Sequence, residues 1–295
     1  MNLKNLQSEV TSICNERFKP LTQIFKGGAH GSVIFCFDKQ SNNSVALKKI
    51  INCDDKEGIP HHALREVAAY KKISLHQNIL NILEVIYDDS IFFVFELMDG
   101  TLKDAIVKDT MCANDILSYK KQILQGISWC HSKQIMHRDI KPHNILLKHN
   151  MLKIADFGLA RQFYKDADRS YTLEAVTLWY RPIEILLGNT KYREKIDIWS
   201  IACVFYEIDH KCPLFASDSE VDLIIKIYMT FGNPSEFNFP GVTKLPNYNS
   251  NLKFNIVYVD NDTRTNLNDI YHGMFSYDAS KRPDASYLLN IYENY

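Results

Sequence analysis

Short apolar runs rich in β-branched and aromatic residues dominate the first third of the chain, a pattern typical of β-strands. Residues 33–37 and 44–48 form one pair of such runs, joined by a turn-like segment at 38–43. Residues 82–87 and 91–95 form a second pair. Runs rich in β-branched and aromatic residues that are separated by turn residues predict antiparallel hairpins. We therefore expect a β-rich unit at the start of the chain.

One helix interrupts these strands, and helices dominate after Gly100. Pro60 is expected to start the first helix, which ends near Ile73, because the missing N–H of proline would be unpaired in a first helical turn. Apolar residues recur at steps of three and four between Ile116 and Cys130, which predicts an amphipathic helix. Further helices are predicted at residues 196–208, 221–231 and 267–275.

The change from strands to helices predicts an α+β fold with two lobes. We expect an N-terminal extension at residues 1–17, a small β-rich N-lobe with one helix at 18–98 and a larger α-helical C-lobe at 99–295. A hinge at residues 96–101 would separate the lobes. The cleft between two such units is a common place for a ligand.

Composition argues against several classes of function. The 295 residues have a net charge of −1, so nothing indicates direct nucleic-acid binding. The cysteines have no C-x-x-C spacing, which argues against a zinc site. The first ten residues are polar and no apolar run approaches the ~18 residues of a membrane span, so we expect neither a secretory signal nor membrane contact. Nucleus and cytoplasm are both compatible with this sequence.

Two motifs indicate phosphoryl-transfer chemistry. They are His137-Arg138-Asp139-Ile140-Lys141-Pro142-His143-Asn144 and Asp156-Phe157-Gly158. A serine or threonine hydroxyl is a poor nucleophile, and the carboxylate of Asp139 would orient it and accept its proton. Mg²⁺ prefers hard oxygen ligands, which Asn144 and Asp156 supply. Lys141, close to Asp139 in sequence, would reach the transferred phosphate.

Both motifs resemble those of protein kinases, and a strand upstream extends the resemblance. Val45-Ala46-Leu47-Lys48 matches the strand whose lysine contacts the α- and β-phosphates of ATP. Lys49 is the alternative, but strand alternation directs it to the opposite face. The expected partner of Lys48 is Glu66. An ion pair between them would indicate that the two lobes have the arrangement of an active kinase.

A glycine-rich segment, Gly28-Ala29-His30-Gly31, lies just before the run at 33–37 and would bind the nucleotide. Glycines allow backbone N–H groups to approach phosphates closely. Lys26 stands where kinases have the first glycine of G-x-G-x-x-G, which is a departure from the pattern. The resemblance implies ATP and Mg²⁺ as cofactors and, besides Lys48, these nucleotide-binding residues: Lys26, Gly27, Gly28, Ala29, His30, Gly31, Ser32, Val33, Glu96 and Met98.

The first helix narrows the resemblance to one family. Pro60-His61-His62-Ala63-Leu64-Arg65-Glu66 is similar to the PSTAIRE-type helix of cyclin-dependent kinases, although His61 and His62 differ from its best-known version. These two histidines are either exposed on a first helical turn or contacts for a specific partner. Further matches are the activation segment at 171–181 and the C-lobe insert at 231–234 and 239–242. The resemblance covers about 18–290 and implies a bilobal kinase fold activated by a cyclin regulatory subunit.

The resemblance also implies a phosphorylation switch. Three arginines match the cluster with which the family binds a phosphothreonine: Arg65, Arg138 and Arg161. A phosphate brings negative charge and three acceptor oxygens, which suit guanidinium groups. Thr172 is the matching acceptor for an activating kinase, and Ser170 and Tyr171 are alternatives.

Other matches concern the substrate and the support of the site. The pocket for a proline after the phosphoacceptor would be formed by Ala175, Val176 and Arg181. Pro182-Ile183-Glu184 departs from the order of the Ala-Pro-Glu motif that is usual in kinases. Glu184 is still expected to pair with Arg282. Asp197 is expected to hold in place the backbone of the catalytic loop, residues 137–144.

The prediction is an ATP-dependent protein serine/threonine kinase of the cyclin-dependent type, which phosphorylates Ser or Thr before Pro in cell-cycle control. Three alternatives stay open. One is a transcription-linked cyclin-dependent kinase, and another is a catalytically inactive kinase fold that acts as a scaffold. A mitogen-activated type would require Thr-x-Tyr, whereas here Tyr171 directly precedes Thr172.

Overall fold

The predicted change from strands to helices is confirmed. The computed structural model describes residues 17–25, 32–50, 61–88, 90–164, 169–173, 177–253 and 269–294. A β-rich N-lobe with one helix precedes a larger helical C-lobe, so the protein has a bilobal α+β fold. Among the helices of these residues, none is long and apolar enough to cross a membrane.

The N-lobe is built on one antiparallel sheet with the strand order β1-β2-β3-β5-β4. Its strands are β1 (Phe18–Phe25), β2 (Ser32–Asp38), β3 (Asn43–Ile50), β4 (Ile82–Asp88) and β5 (Ser90–Glu96). Both predicted hairpins are confirmed. In the central strand β3, Val45 and Leu47 pack into a small core on the outer face of the sheet. Strand alternation therefore directs Lys48 to the inner face.

Helix α1 (His61–Ile73) contacts that inner face, because Glu66 binds Lys48 and the ring of Tyr70 contacts that of Phe95. Ala63, Glu66, Tyr70 and Ile73 are buried, at intervals of three and four residues, whereas Leu64 is half exposed. A helix with this spacing presents one face to its neighbours. Glu66 is therefore directed towards the sheet. Pro60, the predicted first residue of the helix, lies outside the described residues.

Among the described residues, seven further helices and several short strands belong to the C-lobe. The helices are α2 (Leu102–Val107), α3 (Ala113–Ser132), α4 (Ile183–Leu186), α5 (Lys195–His210), α6 (Glu220–Phe231), α7 (Asp269–Met274) and α8 (Ala285–Glu293). The predicted helices at 116–130, 196–208 and 221–231 are confirmed as α3, α5 and α6, and α7 lies within the predicted helix at 267–275. The short strands are β6 (Gly100–Thr101), β7 (Ile135–Met136), β8 (Ile145–Lys148), β9 (Met151–Ile154) and β10 (Arg161–Gln162).

The connection between α1 and β4 is anchored on the C-lobe. The buried amide of Asn78 donates to the carbonyl oxygen of Leu152 at 3.0 Å and to Oε1 of Gln122 at 3.0 Å. The N–H of Ile154 donates to the carbonyl oxygen of Asn78 at 2.9 Å. Gly126 of α3 lies against this contact, since a Cβ there would be 2.8 Å from Cδ1 of Ile154 and 3.0 Å from the carbonyl oxygen of Asn78.

We expect Gly126→Ala to destabilise the protein, although alanine is the better helix former. The added methyl group would meet the backbone of the α1–β4 connection, and overpacking of this kind costs about 1–3 kcal/mol. Chemical unfolding monitored by circular dichroism measures the change. Gly273→Ala in α7 is the matched control, because its Cβ would be 3.8 Å from Cδ of Pro283. Equal stability of Gly126→Ala and the wild type would contradict the proposed close contact.

Candidate active site

Lys48 connects the sheet, helix α1 and the second motif. Its Nζ donates to Oε1 of Glu66 at 2.8 Å and to Oδ1 of Asp156 at 2.8 Å. Lys48 and Glu66 are 8% and 1% exposed. Burial alone would lower the pKa of Lys48, but the charges of Glu66 and Asp156 outweigh it and raise the pKa. Lys48 is therefore a cation held between two carboxylates, and the pair expected between Lys48 and Glu66 is formed.

Asp156 has an unusual backbone conformation, with φ 64° and ψ 71° in the left-handed region. Its N–H donates to the hydroxyl of Tyr70 on α1 at 3.2 Å. The ring of Phe157 contacts that of Tyr70 at 5.0 Å and that of His137 at 4.6 Å between centroids. These contacts compensate for the cost of a left-handed non-glycine residue. They also connect α1 through Phe157 to the catalytic loop.

Asp139 is buried and is bound on both carboxylate oxygens. Thr177 donates to Oδ1 from its N–H at 3.0 Å and from its hydroxyl at 2.9 Å. Nζ of Lys141 donates to Oδ2 at 2.7 Å and to Oγ1 of Thr177 at 2.6 Å. Burial alone would raise the pKa of Asp139, but the charge of Lys141 and these hydrogen bonds lower it. The carboxylate is therefore ionised at neutral pH, which is the state that accepts a hydrogen bond from a substrate hydroxyl.

Asn144 and Asp156 fit a divalent cation site. The amide nitrogen of Asn144 donates to the carbonyl oxygen of Asp139 at 2.9 Å and to its Oδ2 at 2.8 Å, which directs the amide oxygen away from Asp139. The N–H of Ala155 donates to the carbonyl oxygen of Asn144 at 2.9 Å and ties the two motifs together. An amide oxygen and a carboxylate are ligands that Mg²⁺ prefers. Mg²⁺ bound there would offset the charge of the ATP phosphates.

Asp197 of α5 braces the catalytic loop, as predicted. It accepts from the backbone N–H of His137 at 2.9 Å and from that of Arg138 at 2.9 Å. Nε2 of His131 lies 2.8 Å from Oδ2 of the same carboxylate. Burial alone would raise the pKa of Asp197, but these neighbours lower it. The brace holds Arg138 at φ 73°, a left-handed conformation.

The guanidinium of Arg138 lies beside Thr172. Its Nη2 donates to the carbonyl oxygen of Thr172 at 3.3 Å and to Oγ1 at 3.1 Å. The hydroxyl of Tyr192 donates to the same carbonyl oxygen at 2.6 Å. Arg138 is 1% exposed, and its Nε and Nη1 have no hydrogen-bond partner in the described part of the chain. Such buried donors are costly unless an acceptor approaches.

Arg65 and Arg161 add their charges to this site. Burial, followed by the charges of Arg138 and Arg65, lowers the pKa of Arg161 to about 10. Burial also lowers the pKa of Arg138, and Arg65 contributes in the same direction. The charges of the three predicted arginines thus act on one another, and Arg138 contacts the exposed Thr172, whereas Nη1 of Arg161 donates to the carbonyl oxygen of Ala160 at 2.9 Å. Their mutual repulsion would be relieved by an anion with several acceptor oxygens.

Other predicted residues have varied placements. Residues 26–31, Ala175 and Val176 lie outside the described residues, and Ser32 and Val33 begin β2. The carboxylate of Glu96 pairs with Nζ of Lys153 at 2.5 Å, and Met98 is buried. The side chain of Arg181 pairs with that of Glu220. The carboxylate of Glu184 accepts from Nη1 and Nη2 of Arg282 at 2.6 and 2.7 Å.

Sequence reasoning assigned no role to Tyr70, Thr177 or Tyr192. Tyr70 lies four residues after Glu66 on α1, and this helical spacing could have indicated that both face the site. Thr177 belongs to the segment that resembles an activation segment, but its sequence neighbours do not reveal its contact with Asp139. Tyr192 has no local signal, because the fold brings it to Thr172.

Residues 22–292 match the family model of the protein kinase domain. The match includes most of the 295 residues, so the chain belongs to this family. Membership supports protein kinase activity, with ATP and Mg²⁺ as the cofactors that such enzymes generally use. The lobe boundaries at residues 17–18 and 98–99 stay predictions.

We expect Asp197→Asn to lower the free energy of unfolding by about 1–3 kcal/mol at pH 7, because the amide NH₂ cannot accept and one of the two buried backbone N–H groups bound by Asp197 loses its acceptor. The folded-state pKa of Asp197 is lowered, so its contribution is present at neutral pH and is lost as the pH falls below about 4. Urea unfolding across this pH range should show the wild type and the variant converging under acid. Asp109→Asn, whose side chain is 73% exposed, is the control. A difference that grows under acid would refute this role.

Proposed function

We propose that this member of the protein kinase domain family is a cyclin-dependent serine/threonine kinase that phosphorylates Ser or Thr before Pro, in cell-cycle control. The regulatory part of this proposal rests on the cluster of Arg65, Arg138 and Arg161, of which Arg138 contacts Thr172. Arg138 has two buried donor atoms without a partner in the described part of the chain, beside a hydroxyl that a kinase could modify. A phosphate there would give these donors acceptors and neutralise charge.

The transfer itself requires few groups. Asp139 would accept the proton of the substrate hydroxyl, and Lys141, which already contacts it, would offset charge on the transferred phosphoryl group. Lys48 would contact the α- and β-phosphates of ATP, with Glu66 fixing its position. Such catalysis consists mainly of positioning and charge stabilisation.

The cyclin is proposed to act through helix α1. Glu66 on its buried face binds Lys48, whereas Leu64 on its other side is 51% exposed. A protein bound to the exposed side could therefore change the position of Glu66. A pull-down with candidate cyclins, followed by a transfer assay on Ser-Pro and Ser-Ala peptides with and without the bound cyclin, tests both parts. No cyclin-stimulated transfer would refute the cyclin-dependent type.

Of two other hypotheses, only the inactive scaffold predicts a different result in that assay. An inactive scaffold would bind partners without any transfer. The formed contacts among Lys48, Glu66 and Asp156 argue against it. A transcription-linked kinase would show the same cyclin stimulation, and only its cyclin and substrates would differ. The residues of α1 favour neither cellular role.

We expect Asp139→Asn and Asp156→Asn each to lower transfer by ~10²-fold or more, because an oriented base or a metal ligand is lost. Both changes preserve the size of the side chain, so circular dichroism should show folded variants, although Asp156→Asn should melt at a lower temperature because Lys48 loses one of its two carboxylate partners. Steady-state assays with saturating cyclin and ATP measure the loss. Near wild-type turnover of either variant would contradict the role assigned to that residue.

We expect Thr172→Ala to lower activity at least about tenfold relative to the phosphorylated wild type, since each hydrogen bond to a charged group contributes about 1.5–3 kcal/mol. The comparison is made at saturating cyclin, with phosphate on Thr172 verified by mass spectrometry. Ser170→Ala is the matched control and should keep full activity. If Ser170→Ala lost activity and Thr172→Ala did not, the acceptor would be wrongly assigned.

A further inference from the structure

Glu207 is a fully buried carboxylate to which the proposed transfer reaction gives no role. It lies on helix α5 and is 0% exposed. Its Oε1 accepts from Nζ of Lys103 at 2.6 Å, and its Oε2 accepts from the hydroxyl of Tyr180 at 2.7 Å. A buried ion pair often contributes no more to stability than apolar side chains of similar volume. The groups that the pair holds in place are therefore more informative than its energy.

The residue bound by Glu207 closes a turn that reaches the catalytic carboxylate. Leu178–Tyr180 form one turn of 3₁₀-helix, in which the N–H of Tyr180 donates to the carbonyl oxygen of Thr177 at 3.1 Å. Thr177 donates to Oδ1 of Asp139 from its N–H at 3.0 Å and from its hydroxyl at 2.9 Å. Burial raises the pKa of Tyr180, and the charges of Glu207 and Asp139 contribute in the same direction. Tyr180 is therefore protonated at neutral pH and stays a hydrogen-bond donor.

Helix α5 holds both the catalytic loop and this turn. Asp197 accepts from two backbone N–H groups of the loop. Three residues later, the hydroxyl of Ser200 donates to the carbonyl oxygen of Tyr180 at 2.9 Å. Glu207 follows Ser200 by about two helical turns, so the two side chains lie on the same face of α5. Ser200 and Glu207 thus fix Tyr180 at its backbone and at its side chain.

Lys103 supplies the counter-charge that this arrangement requires. It is the second residue of α2, which directly follows the predicted hinge at residues 96–101. Without its ammonium group, the carboxylate of Glu207 would keep only the hydroxyl of Tyr180 as a side-chain partner in the described part of the chain. A buried charge that has lost its counter-ion is strongly destabilising. Lys103 therefore allows Glu207 to bind Tyr180 in its ionised form.

We propose that Glu207 is a positioning residue for phosphoryl transfer, with Lys103 as its counter-ion. By fixing Tyr180, Glu207 holds the turn that presents Thr177 to Asp139, so the carboxylate that would accept the substrate proton keeps one orientation. Displacement of a reacting group by only about 1 Å can cost ~10²-fold in rate. The inference rests on the proposed kinase activity, but not on the cyclin or on phosphate at Thr172.

Tyr180→Phe tests the role of the hydroxyl that Glu207 binds, and Glu207 keeps Lys103 in this variant. We expect kcat for a Ser-Pro peptide to fall about tenfold or more, while KM for ATP changes by less than about twofold. Tyr277→Phe is the matched control, because the buried Tyr277 hydroxyl donates to the carbonyl oxygen of Gly232 at 2.5 Å. It should melt at a lower temperature and keep its kcat. Equal kcat for Tyr180→Phe and the wild type, or equal losses in the two variants, would overturn the proposal.

A double-mutant cycle shows whether the effect passes through Thr177. Thr177→Val removes the hydroxyl at Asp139, and in that background Tyr180→Phe should lower kcat by a smaller factor than in the wild type. Losses that multiply independently would show that Tyr180 acts elsewhere, against the proposal. A wild type without any transfer would refute the kinase activity itself and this inference with it. An active wild type with unaffected variants would refute the positioning role alone.

Replacing both members of the ion pair separates the hydrogen bond from the charge. Lys103→Met/Glu207→Gln removes both charges but keeps an amide oxygen that can accept from Tyr180, so its kcat should stay within about threefold of the wild type. Lys103→Met/Glu207→Leu has no acceptor there and should lose as much kcat as Tyr180→Phe. Circular dichroism verifies that both variants are folded. Equal kcat of the two double variants would overturn the proposal.

Discussion

The ammonium group of Lys48 holds together three parts of the fold that are distant in sequence. It belongs to the central strand of the N-lobe sheet and binds Glu66 of helix α1 and Asp156 of the second motif. A buried ammonium is costly unless it is well paired, and removal of one partner from such a group typically costs about 3–5 kcal/mol. The positions of α1 and Asp156 are therefore coupled. Tyr70 and Phe157 add a second, apolar connection between the same two elements.

The activation segment shows the opposite electrostatic situation. At Lys48 the chain supplies its own counter-charges, whereas the arginines at Thr172 repel one another and Arg138 keeps unpaired buried donors within the described residues. Asp197 maintains this arrangement, because it fixes the backbone of Arg138 through a hydrogen bond at 2.9 Å. One α5 carboxylate thus supports both the catalytic loop and the proposed phosphate site. A change of charge at Thr172 would therefore alter the electrostatic field at Asp139, which follows Arg138 in the loop.

The sequence predicted the elements whose patterns are long or chemically distinctive. The hairpins of the N-lobe and helices α3, α5 and α6 have clear periodicity, and Lys48, Glu66, Asp139 and Asp156 belong to recognisable motifs. The strands β6 to β10 were missed because two to four residues carry no measurable period. The role of Gly126 was also unpredictable. Glycine is a poor helix former, so the sequence gives no reason for a glycine within α3. The close approach of Asn78 and Ile154 explains why this position has no side chain.

The net charge of −1 conceals two local imbalances. In the cleft, the carboxylates of Glu66, Asp139 and Asp156 outnumber the cations Lys48 and Lys141, an excess that favours a bound cation. At the activation segment the excess is positive, because Arg65, Arg138 and Arg161 act on one another. Each imbalance has the sign that the proposed ligand would cancel, Mg²⁺ in the first place and a phosphate in the second. The two sites share the loop from His137 to Asn144, so neutralising one of them changes the field in which the other works.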